Sequence, residues 1–448
     1  MNATPLTPIL SASWGAPYSW RLETYRGFGG YTGVLRALQL TPDQLIGVVQ
    51  TSGLRDRDGA RFLTSDKWSA ALDSGTGVKY LVIDCAESEP NACKDVPLLL
   101  ASPHLVIEGA IIAAYAIGAH QVFICIRGEA LHAVRRVQQG VAEAYRAGYL
   151  GERALGVNYR IDITVHAGAG SYIRGEETAL LNSLLGRAGR PSSQPPYPVS
   201  SGLYGEPTVV SNCETIAALP AIVSQGGEWY AQFGTANSRG TTVYSVSGHV
   251  QFPGQFEAPC GTTVRALLEF AGGIREGHKL KFFTAGGLST PLFTEEQLDM
   301  PLPYGSATTA KAVPGGNALQ FFDETTSVLR VTRRWMECYA AESCGKCSPC
   351  REGSWWLSQL LSGLAEGRGQ EGDVERILDI CDGISGRAFC PLADGFVGCV
   401  TGAIRQFRSE FEVGYRRAAN ELFPEEQSAV FAWNESVPTA KSGNGGFR

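Results

Sequence analysis

Four cysteines combine a residue type and a spacing that suit iron-sulfur chemistry. Cys344, Cys347 and Cys350 stand at three-residue intervals in the segment SCGKCSPCREG, and Cys390 follows 40 positions after the third. Three closely spaced thiolates can bind three corners of a cubane, and one remote thiolate can close the fourth. Structural zinc more often uses two separated C-x-x-C pairs. The pattern therefore favours a 4Fe-4S cluster over zinc.

The charges beside this motif fit electron transfer. Lys346 and Arg351 flank the cysteine loop, and positive charge favours the more negative reduced cluster. The other eight cysteines have no ligand spacing of their own. We interpret them as core or incidental thiols: Cys85, Cys93, Cys125, Cys213, Cys260, Cys338, Cys381 and Cys399.

The elements that must position this chemistry begin with an alternation of strands and helices. KYLVID, QVFICIRG and VNYRIDITVHAG are predicted strands, separated by the predicted helices PHLVIEGAIIAAYAIGA and LHAVRRVQQGVAEAYRAGYL. This alternation predicts an α/β fold with a parallel sheet, in which function gathers at the carboxyl ends of the strands. Gly168, Gly170 and Gly175 then lie between a strand and a helix, where glycine lets the backbone approach a phosphate.

Length, charge and hydropathy limit which classes of protein the chain can belong to. A chain of 448 residues is too long for a single hydrophobic core, and the net charge of -6 argues against a nucleic-acid-binding surface. The longest apolar stretch, 105–126, is interrupted by Glu108 and His120 and predicts a buried helix and strand. The N-terminus lacks the basic start and apolar run of a signal peptide. These features predict a soluble protein without a membrane span.

Changes in composition divide the chain into five parts. Residues 1–75 are predicted to be an N-terminal region with two short helices, and 76–240 the α/β domain. Two strands around a Pro-Gly turn and one helix predict an α+β module over 241–330. Residues 331–420 are predicted to be a helical bundle with the cysteine motif, and 421–448 a flexible tail. The Pro/Gly/Ser-rich loop 186–205 is long, and such loops are usually functional.

Five segments together resemble one family. EGAIIAAYAIGA, ESEP, GAGSYIRGEETALLNSL, the loop ending in GLYGEPTVVSNCET and the cysteine loop are similar to those of the F subunits of NADH-quinone oxidoreductases. These are the flavoproteins at the electron-input end of respiratory complex I, and the resemblance covers roughly residues 15–420. It implies an FMN-binding α/β domain, a ubiquitin-like module and a C-terminal helical bundle that carries the cluster.

The resemblance also implies a reaction and its setting. NADH gives a hydride to FMN, and FMN passes single electrons to the cluster, because a hydride carries two electrons and the cluster accepts one. No catalytic side chain is implied. The implied partners are a thioredoxin-like iron-sulfur subunit and a large iron-sulfur subunit of a complex I-like peripheral arm. The implied location is cytoplasmic, peripheral on the inner face of the cell membrane through that complex.

Individual residues take implied roles from their positions in the matching motifs. The cluster ligands would be the four cysteines named above. The NADH contacts would be Phe62, Glu89 and Tyr197. The FMN ligands would be Arg57, Gly59, Lys67, Glu87, Tyr172, Gly175, Glu176, Glu177 and Asn212.

The segment that matches the family's glycine-rich flavin loop, DRDGARFLTSDKW, departs from it. Asp56, Asp58, Arg61 and Ser65 stand where the family has glycine. A side chain at a left-handed position would cost roughly 1–2 kcal/mol, and two carboxylates would repel a phosphate. Arg61 could compensate with its guanidinium. If this loop limits binding, glycine at positions 56, 58 and 61 should raise FMN affinity.

Other flavin and nucleotide positions also differ from the family. Asp84 and Ala86 replace an Asn and an Asp, and Gln194 replaces a Lys of the Pro-rich loop. Three hypotheses follow. The chain is an NADH:FMN electron-input subunit with an unusual phosphate loop. Alternatively, it is a paralogue that has lost FMN and NADH binding and serves as an iron-sulfur relay or assembly subunit. The third hypothesis is a zinc- or cluster-stabilised scaffold without redox function.

Overall fold

The N-terminal region contains four helices rather than the two predicted from sequence. The computed structural model describes residues 8–58, 61–75, 77–302 and 317–412, so Gly59 and the predicted tail at 421–448 lie outside the described residues. The unexpected first helix has six residues, too few for a helical pattern, and the unexpected fourth buries the polar Thr64 and Ser65 beside Trp68. The four are α1 (Leu22–Gly27), α2 (Thr32–Ala37), α3 (Pro42–Ser52) and α4 (Thr64–Asp73).

A four-stranded parallel sheet forms the next domain and confirms the predicted α/β class. Its strand order is β3-β2-β1-β4. The chain therefore runs from β1 outward through β2 and β3, and then returns to add β4 on the other side of β1. In such sheets ligands bind outside the carboxyl ends at this switch point, here between β1 and β4. The elements are β1 (Tyr80–Cys85), α5 (Asp95–Ala101), α6 (Pro103–Ile117), β2 (Gln121–Arg127), α7 (Leu131–Arg146), β3 (Asp162–Gly168), α8 (Glu177–Leu184), β4 (Thr208–Asn212), α9 (Cys213–Gln225) and α10 (Gly227–Ala231).

Helices cover both faces of this sheet. Leu81 and Ile83 face the core that α6, α7 and α9 build, whereas Val82 and Val210 face Leu180 of α8 on the other side. α6 is buried on nearly all sides, as its apolar sequence predicts. Within the part of the chain that the structure describes, no single helix is long and apolar enough to cross a membrane. The pair α5 and α6, bent by 102°, meets that criterion by length and composition when the two are taken together.

A mixed sheet packed on one helix forms the third unit, the α+β module predicted from sequence. Its strand order is β10-β12-β7-β8, with β12 and β7 parallel and the other pairs antiparallel. Leu267 of the helix packs with Tyr244 and Phe321 of the sheet. The elements are β5 (Gly234–Thr235), β6 (Ser238–Arg239), β7 (Thr241–Gly248), β8 (Gly254–Pro259), β9 (Thr262–Thr263), α11 (Val264–Phe270), β10 (Leu280–Ala285), β11 (Pro301–Leu302) and β12 (Ala318–Asp323).

Four helices form the last unit, the predicted C-terminal bundle. They are α12 (Val328–Glu342), α13 (Ser348–Ala365), α14 (Asp373–Ile384) and α15 (Leu392–Glu412). Leu357, Leu361, Ile377 and Phe396 are buried together in its core. The α12–α13 turn and the α14–α15 turn lie at the same end of the bundle, which is where the cysteine motif and Cys390 occur.

Candidate electron-transfer site

The cysteine quartet (Cys344, Cys347, Cys350 and Cys390) lies in the two turns at this end of the bundle. Cys347 is the N-cap of α13, and Cys350 is buried in its first turn. Burial raises the pKa of the Cys390 thiol to about 11, and the charges of the other three add to that rise. Four thiols that repel one another when ionised are stabilised by a bound cation. The donor set therefore fits a metal-sulfur group.

The Pro-rich loop is fastened to the cysteine loop. Arg190 Nε donates to the Cys344 carbonyl at 3.0 Å, and Lys346 Nζ donates to the Pro191 carbonyl at 2.5 Å. Arg351 donates to a carbonyl of the cysteine loop itself at 2.9 Å. The two flanking cations are thus held beside the quartet. The predicted functional loop connects this centre to the sheet domain.

Polar residues occupy the switch point of the parallel sheet. Asp84 and Asn212 are register partners near the ends of β1 and β4. Asn212 Nδ2 donates to the Asp84 carbonyl at 3.3 Å and to Asp95 Oδ2 at 3.0 Å, and its Oδ1 accepts from Lys94 Nζ at 2.8 Å. Burial raises the pKa of Asp84 to about 6, which the Ala86 backbone N–H partly offsets. The predicted ligand Asn212 is therefore at the switch point and is held in place by the chain.

Asp56 is a structural hub rather than a simple replacement for glycine. Its carboxylate is fully buried and accepts from Ser211 Oγ, Asn212 N and Thr215 Oγ1 at 3.0, 2.9 and 2.8 Å. Lys67 Nζ lies 3.0 Å from the same carboxylate. These contacts attach the loop after α3 to the end of β4.

Lys67, a predicted FMN ligand, is already paired with carboxylates. Besides Asp56, its Nζ contacts Asp58 at 3.1 Å and the Val210 carbonyl at 3.0 Å. Burial alone would lower the pKa of Lys67, but the charges of Asp56 and Asp58 raise it above its usual range. Lys67 therefore carries a positive charge that these two side chains neutralise.

The expected strain in the flavin loop is confined to one described residue. Of the four glycine replacements, only Arg61 has a left-handed backbone, with φ of 53°. Its Nη2 donates to Asn317 Oδ1 at 3.0 Å, so the expected compensating guanidinium contacts the α+β module. Arg57, predicted to bind FMN, also points away from the sheet edge, because its Nη2 donates to the carbonyls of Arg239 and Thr241 at 3.1 and 3.0 Å.

Glu87, at the end of β1, caps a helix. Its carboxylate accepts from the backbone N–H groups of Lys94, Asp95 and Val96 at the start of α5, the last two at 3.0 Å. Its own backbone is left-handed, with φ of 39°. A carboxylate at a helix N-terminus is stabilised whether or not a ligand binds. The structure thus gives this predicted FMN ligand a folding role as well.

Glu89 connects three units of the chain. Its carboxylate accepts from Tyr172 Oη and from the Leu288 N–H, both at 2.7 Å, and from Ser289 Oγ at 3.1 Å. Ser289 Oγ in turn lies 3.1 Å from Tyr339 Oη of α12. Burial raises the pKa of Glu89, and these hydrogen bonds oppose the rise. The predicted NADH residue Glu89 and the predicted FMN residue Tyr172 therefore touch each other.

The segment before α8 has the close packing expected of a phosphate-binding turn. A Cβ on Gly175 would lie 2.7 Å from Ser88 Oγ, so a larger residue here would have to displace that hydroxyl. Glu176 caps α8 by accepting from Ala179 N at 2.8 Å. Glu177 Oε1 accepts from Gln194 at 3.1 Å, and burial raises the pKa of Glu177.

The two predicted aromatic contacts for NADH are open to solvent. Phe62 is 61% and Tyr197 is 56% exposed, although large apolar side chains usually pack inside. An exposed ring can stack on a planar base without displacing any part of the protein. Both residues therefore have the accessibility that their predicted role requires.

Arg174 was missed by sequence reasoning. It lies in the turn SYIRGEE and is 3% exposed, yet Nε, Nη1 and Nη2 have no hydrogen-bond partner among the described residues. The sequence signal that could have identified it is a single arginine in the glycine-rich turn, between Gly170 and Gly175. A charge at this position has no evident capping or packing purpose.

These features define the class: an electron-transfer protein with a nucleotide-binding sheet joined to a four-cysteine centre. The chain matches three family models, described as Nuo51 FMN-binding domain over residues 49–221, SLBB domain over 243–292, and NADH-ubiquinone oxidoreductase-F iron-sulfur binding region over 330–414.

Full-length relatives give the family. The chain is 51% identical over 417 residues to the F subunit of the NADH-quinone oxidoreductase of Mycobacterium tuberculosis, covering 92% of this chain and 94% of that protein. It is 40% identical over 414 residues to the Escherichia coli protein of the same name, covering 90% and 93%. A solved NAD+-reducing NiFe hydrogenase has a TM-score of 0.79 at 30% identity, covering 92% of this chain and 67% of that one. The chain belongs to the family of NADH-quinone oxidoreductase F subunits.

The comparisons confirm the predicted family, fold and function. The chain is the electron-input subunit of an NADH-quinone oxidoreductase complex, and it carries electrons from NADH through FMN to a 4Fe-4S cluster. Among the three hypotheses they support the first. Weakening of the flavin site by the altered loop stays a prediction.

Proposed function

We propose that the cysteine quartet holds the 4Fe-4S cluster and that FMN binds at the switch point between β1 and β4. The observation that carries this proposal is the pair of contacts between the Pro-rich loop and the cysteine loop, Arg190 to Cys344 and Lys346 to Pro191. They hold the nucleotide-binding domain against the cluster end of the bundle. Bound FMN supplies the conversion between two-electron hydride chemistry and single-electron transfer.

The residues around the switch point have separate roles in binding and orienting the ligand. Gly175 keeps a side chain off the turn before α8, where the Glu176 carboxylate already caps the N–H groups of Thr178 and Ala179. Asn212 and Tyr172 orient the ligand from two sides through positions fixed by their own hydrogen bonds. Phe62 offers an exposed ring for the nucleotide. No described side chain is needed as an acid or base, because hydride transfer takes place between cofactors.

One observation favours the second candidate function, an iron-sulfur relay or assembly subunit without FMN and NADH. Lys67 is neutralised by Asp56 and Asp58, so a phosphate that approaches this loop meets carboxylates rather than a free cation. This candidate retains the cysteine quartet and the loop contacts. It differs from the first only in the absence of flavin.

The setting of the chain is part of the proposal. We propose a thioredoxin-like iron-sulfur subunit and a large iron-sulfur subunit as neighbours, and a cytoplasmic location on the inner face of the membrane through the complex. We also propose the functional division into 1–75, 76–240, 241–330, 331–420 and 421–448.

The absorbance spectrum of anaerobically purified protein separates the candidates. We expect a flavin band together with broad brown absorbance, and release of FMN on denaturation. Brown protein without releasable flavin, even after incubation with FMN, would establish the relay or assembly subunit instead. Colourless protein that contains zinc would contradict both, and iron and sulfide assays on the same sample provide the control.

A further inference from the structure

The buried guanidinium of Arg174 makes no hydrogen bond to the residues that the structure describes. It is 3% exposed, and its three nitrogens donate to no atom of the described residues. A buried donor left unsatisfied is destabilising, and an unpaired buried charge is more so. Proteins retain such a group where a ligand completes it.

A glycine makes room for this side chain. A Cβ on Gly168, the last residue of β3, would stand 2.3 Å from Arg174 Nη2. Burial and then the charge of Arg174 lower the pKa of His166, and the same charge opposes the burial-driven rise at Asp84. The guanidinium therefore lies at the carboxyl end of β3, and its charge acts on Asp84 of β1 along the same edge of the sheet.

The other described cations of this edge have protein partners. Lys67 contacts two carboxylates at 3.0 and 3.1 Å, and Lys94 contacts two at 2.7 and 3.2 Å. Gln194, at the position where family resemblance places a lysine, donates to Glu177. Arg174, in contrast, has no hydrogen-bond partner among the described residues, so its guanidinium is available to bind an anion.

We propose that Arg174 binds the phosphate of FMN. This inference rests on the flavin site proposed above. The ring of oxidised flavin carries no net charge, whereas the phosphate is anionic in every redox state, so the phosphate alone supplies a permanent counter-charge. The planar fork of a guanidinium matches two phosphate oxygens, and none of the three nitrogens of the Arg174 fork donates to a described residue. Arg174 would thereby replace the phosphate-binding capacity that Asp56 and Asp58 remove from Lys67.

The test compares FMN with riboflavin, which lacks the phosphate, on the flavin-free full-length chain. Flavin fluorescence quenching gives the dissociation constants for wild type, Arg174→Gln, Arg174→Lys and the exposed control Arg135→Gln. Loss of a charge-assisted, bidentate contact should weaken FMN binding by about 10- to 100-fold in Arg174→Gln. Riboflavin binding should change less than about twofold, because the shared ring contacts remain. Arg174→Lys should fall between, since it keeps the charge and loses the fork.

Thermal melting of the same proteins separates ligand binding from a structural role. Without flavin, Arg174→Gln should melt at the wild-type temperature or above it, because the substitution removes an unpaired buried charge. With FMN, its stabilisation should be smaller than that of wild type. Gly168→Ala, whose Cβ would displace the guanidinium, should reproduce the selective loss for FMN.

The outcomes distinguish this inference from the function on which it rests. Wild-type protein that binds neither flavin would overturn the proposed flavin site itself. Wild-type protein that binds FMN, with equal losses for FMN and riboflavin in Arg174→Gln, would show a ring contact and overturn the phosphate assignment. Unchanged FMN affinity in Arg174→Gln, or a lower melting temperature of its flavin-free form, would overturn it as well.

Discussion

Replacing Asp84 by Asn should stabilise the flavin-free chain in a pH-dependent way. Burial raises the pKa of Asp84 from its ordinary 3.8 to about 6. The folded chain therefore holds this proton more tightly than the unfolded chain, and stability falls as pH rises from about 4 to about 6. Above that range the carboxylate is ionised in both states and the full penalty remains. In the wild-type chain the Ala86 N–H donates to Asp84 Oδ1 at 2.9 Å. Asn carries no charge, and its Oδ1 can still accept this hydrogen bond.

The magnitude follows from the two pKa values. Their difference, at about 1.36 kcal/mol per pKa unit, gives about 3 kcal/mol at pH 8. At pH 5 the folded carboxyl is mostly protonated, and the same linkage relation gives about 1.6 kcal/mol. Asp84 is partly exposed, so these values are upper limits.

Urea unfolding of Asp84→Asn and wild type at pH 5 and pH 8 measures this effect. The gain in unfolding free energy should be roughly 1.4 kcal/mol larger at pH 8. Asp382→Asn, which alters an exposed carboxylate, is the control and should show no such dependence. An equal gain at both pH values, or a loss of stability, would refute the argument that the buried charge of Asp84 destabilises the folded chain.

Two further substitutions test the cluster and the loop. Cys347→Ser should abolish the visible absorbance and electron paramagnetic resonance signals of the cluster, whereas Cys93→Ser, outside the quartet, should preserve them; an unchanged Cys347→Ser spectrum would remove this residue from the ligand set. Asp56→Gly should lower the unfolding free energy by about 3 kcal/mol or more, because it strands the buried donors of Ser211, Asn212 and Thr215. Asp58→Gly should cost much less, since that side chain is 25% exposed, and similar urea midpoints for the two variants would contradict the role of Asp56 as a hub.

The Asp56 result changes what glycine restoration can show. From sequence, glycine at positions 56, 58 and 61 should raise FMN affinity, because the side chains were expected to strain left-handed backbone and the two carboxylates to repel the phosphate. In the structure Asp56 and Asp58 do not have left-handed backbones, and Asp56 joins the loop to β4. A triple-glycine variant would therefore lose stability for reasons unrelated to flavin. Arg61→Gly, at φ of 53°, is the substitution that isolates backbone strain.

The sequence by itself determined the features that depend on neighbouring residues. Three cysteines in one turn are predicted as ligands from their spacing along the chain. Alternating strands and helices predict a parallel sheet, because each hydrophobic period can be recognised within a short segment. The three units of the fold followed from the same local patterns. The four-cysteine centre needed only that two helix turns of a bundle lie at the same end.

The tertiary structure alone decided how the polar residues of the sheet edge are used. Asp56 meets Thr215 across 159 positions and Glu89 meets Ser289 across 200, and no local pattern specifies such pairings. Asp56 also pairs with Lys67, and the carbonyls of Arg239 and Thr241 hold the guanidinium of Arg57 away from the edge, although both residues were expected to bind FMN. The guanidinium of Arg174 is buried without a hydrogen-bond partner among the described residues, and only the packing of several elements around it decides this.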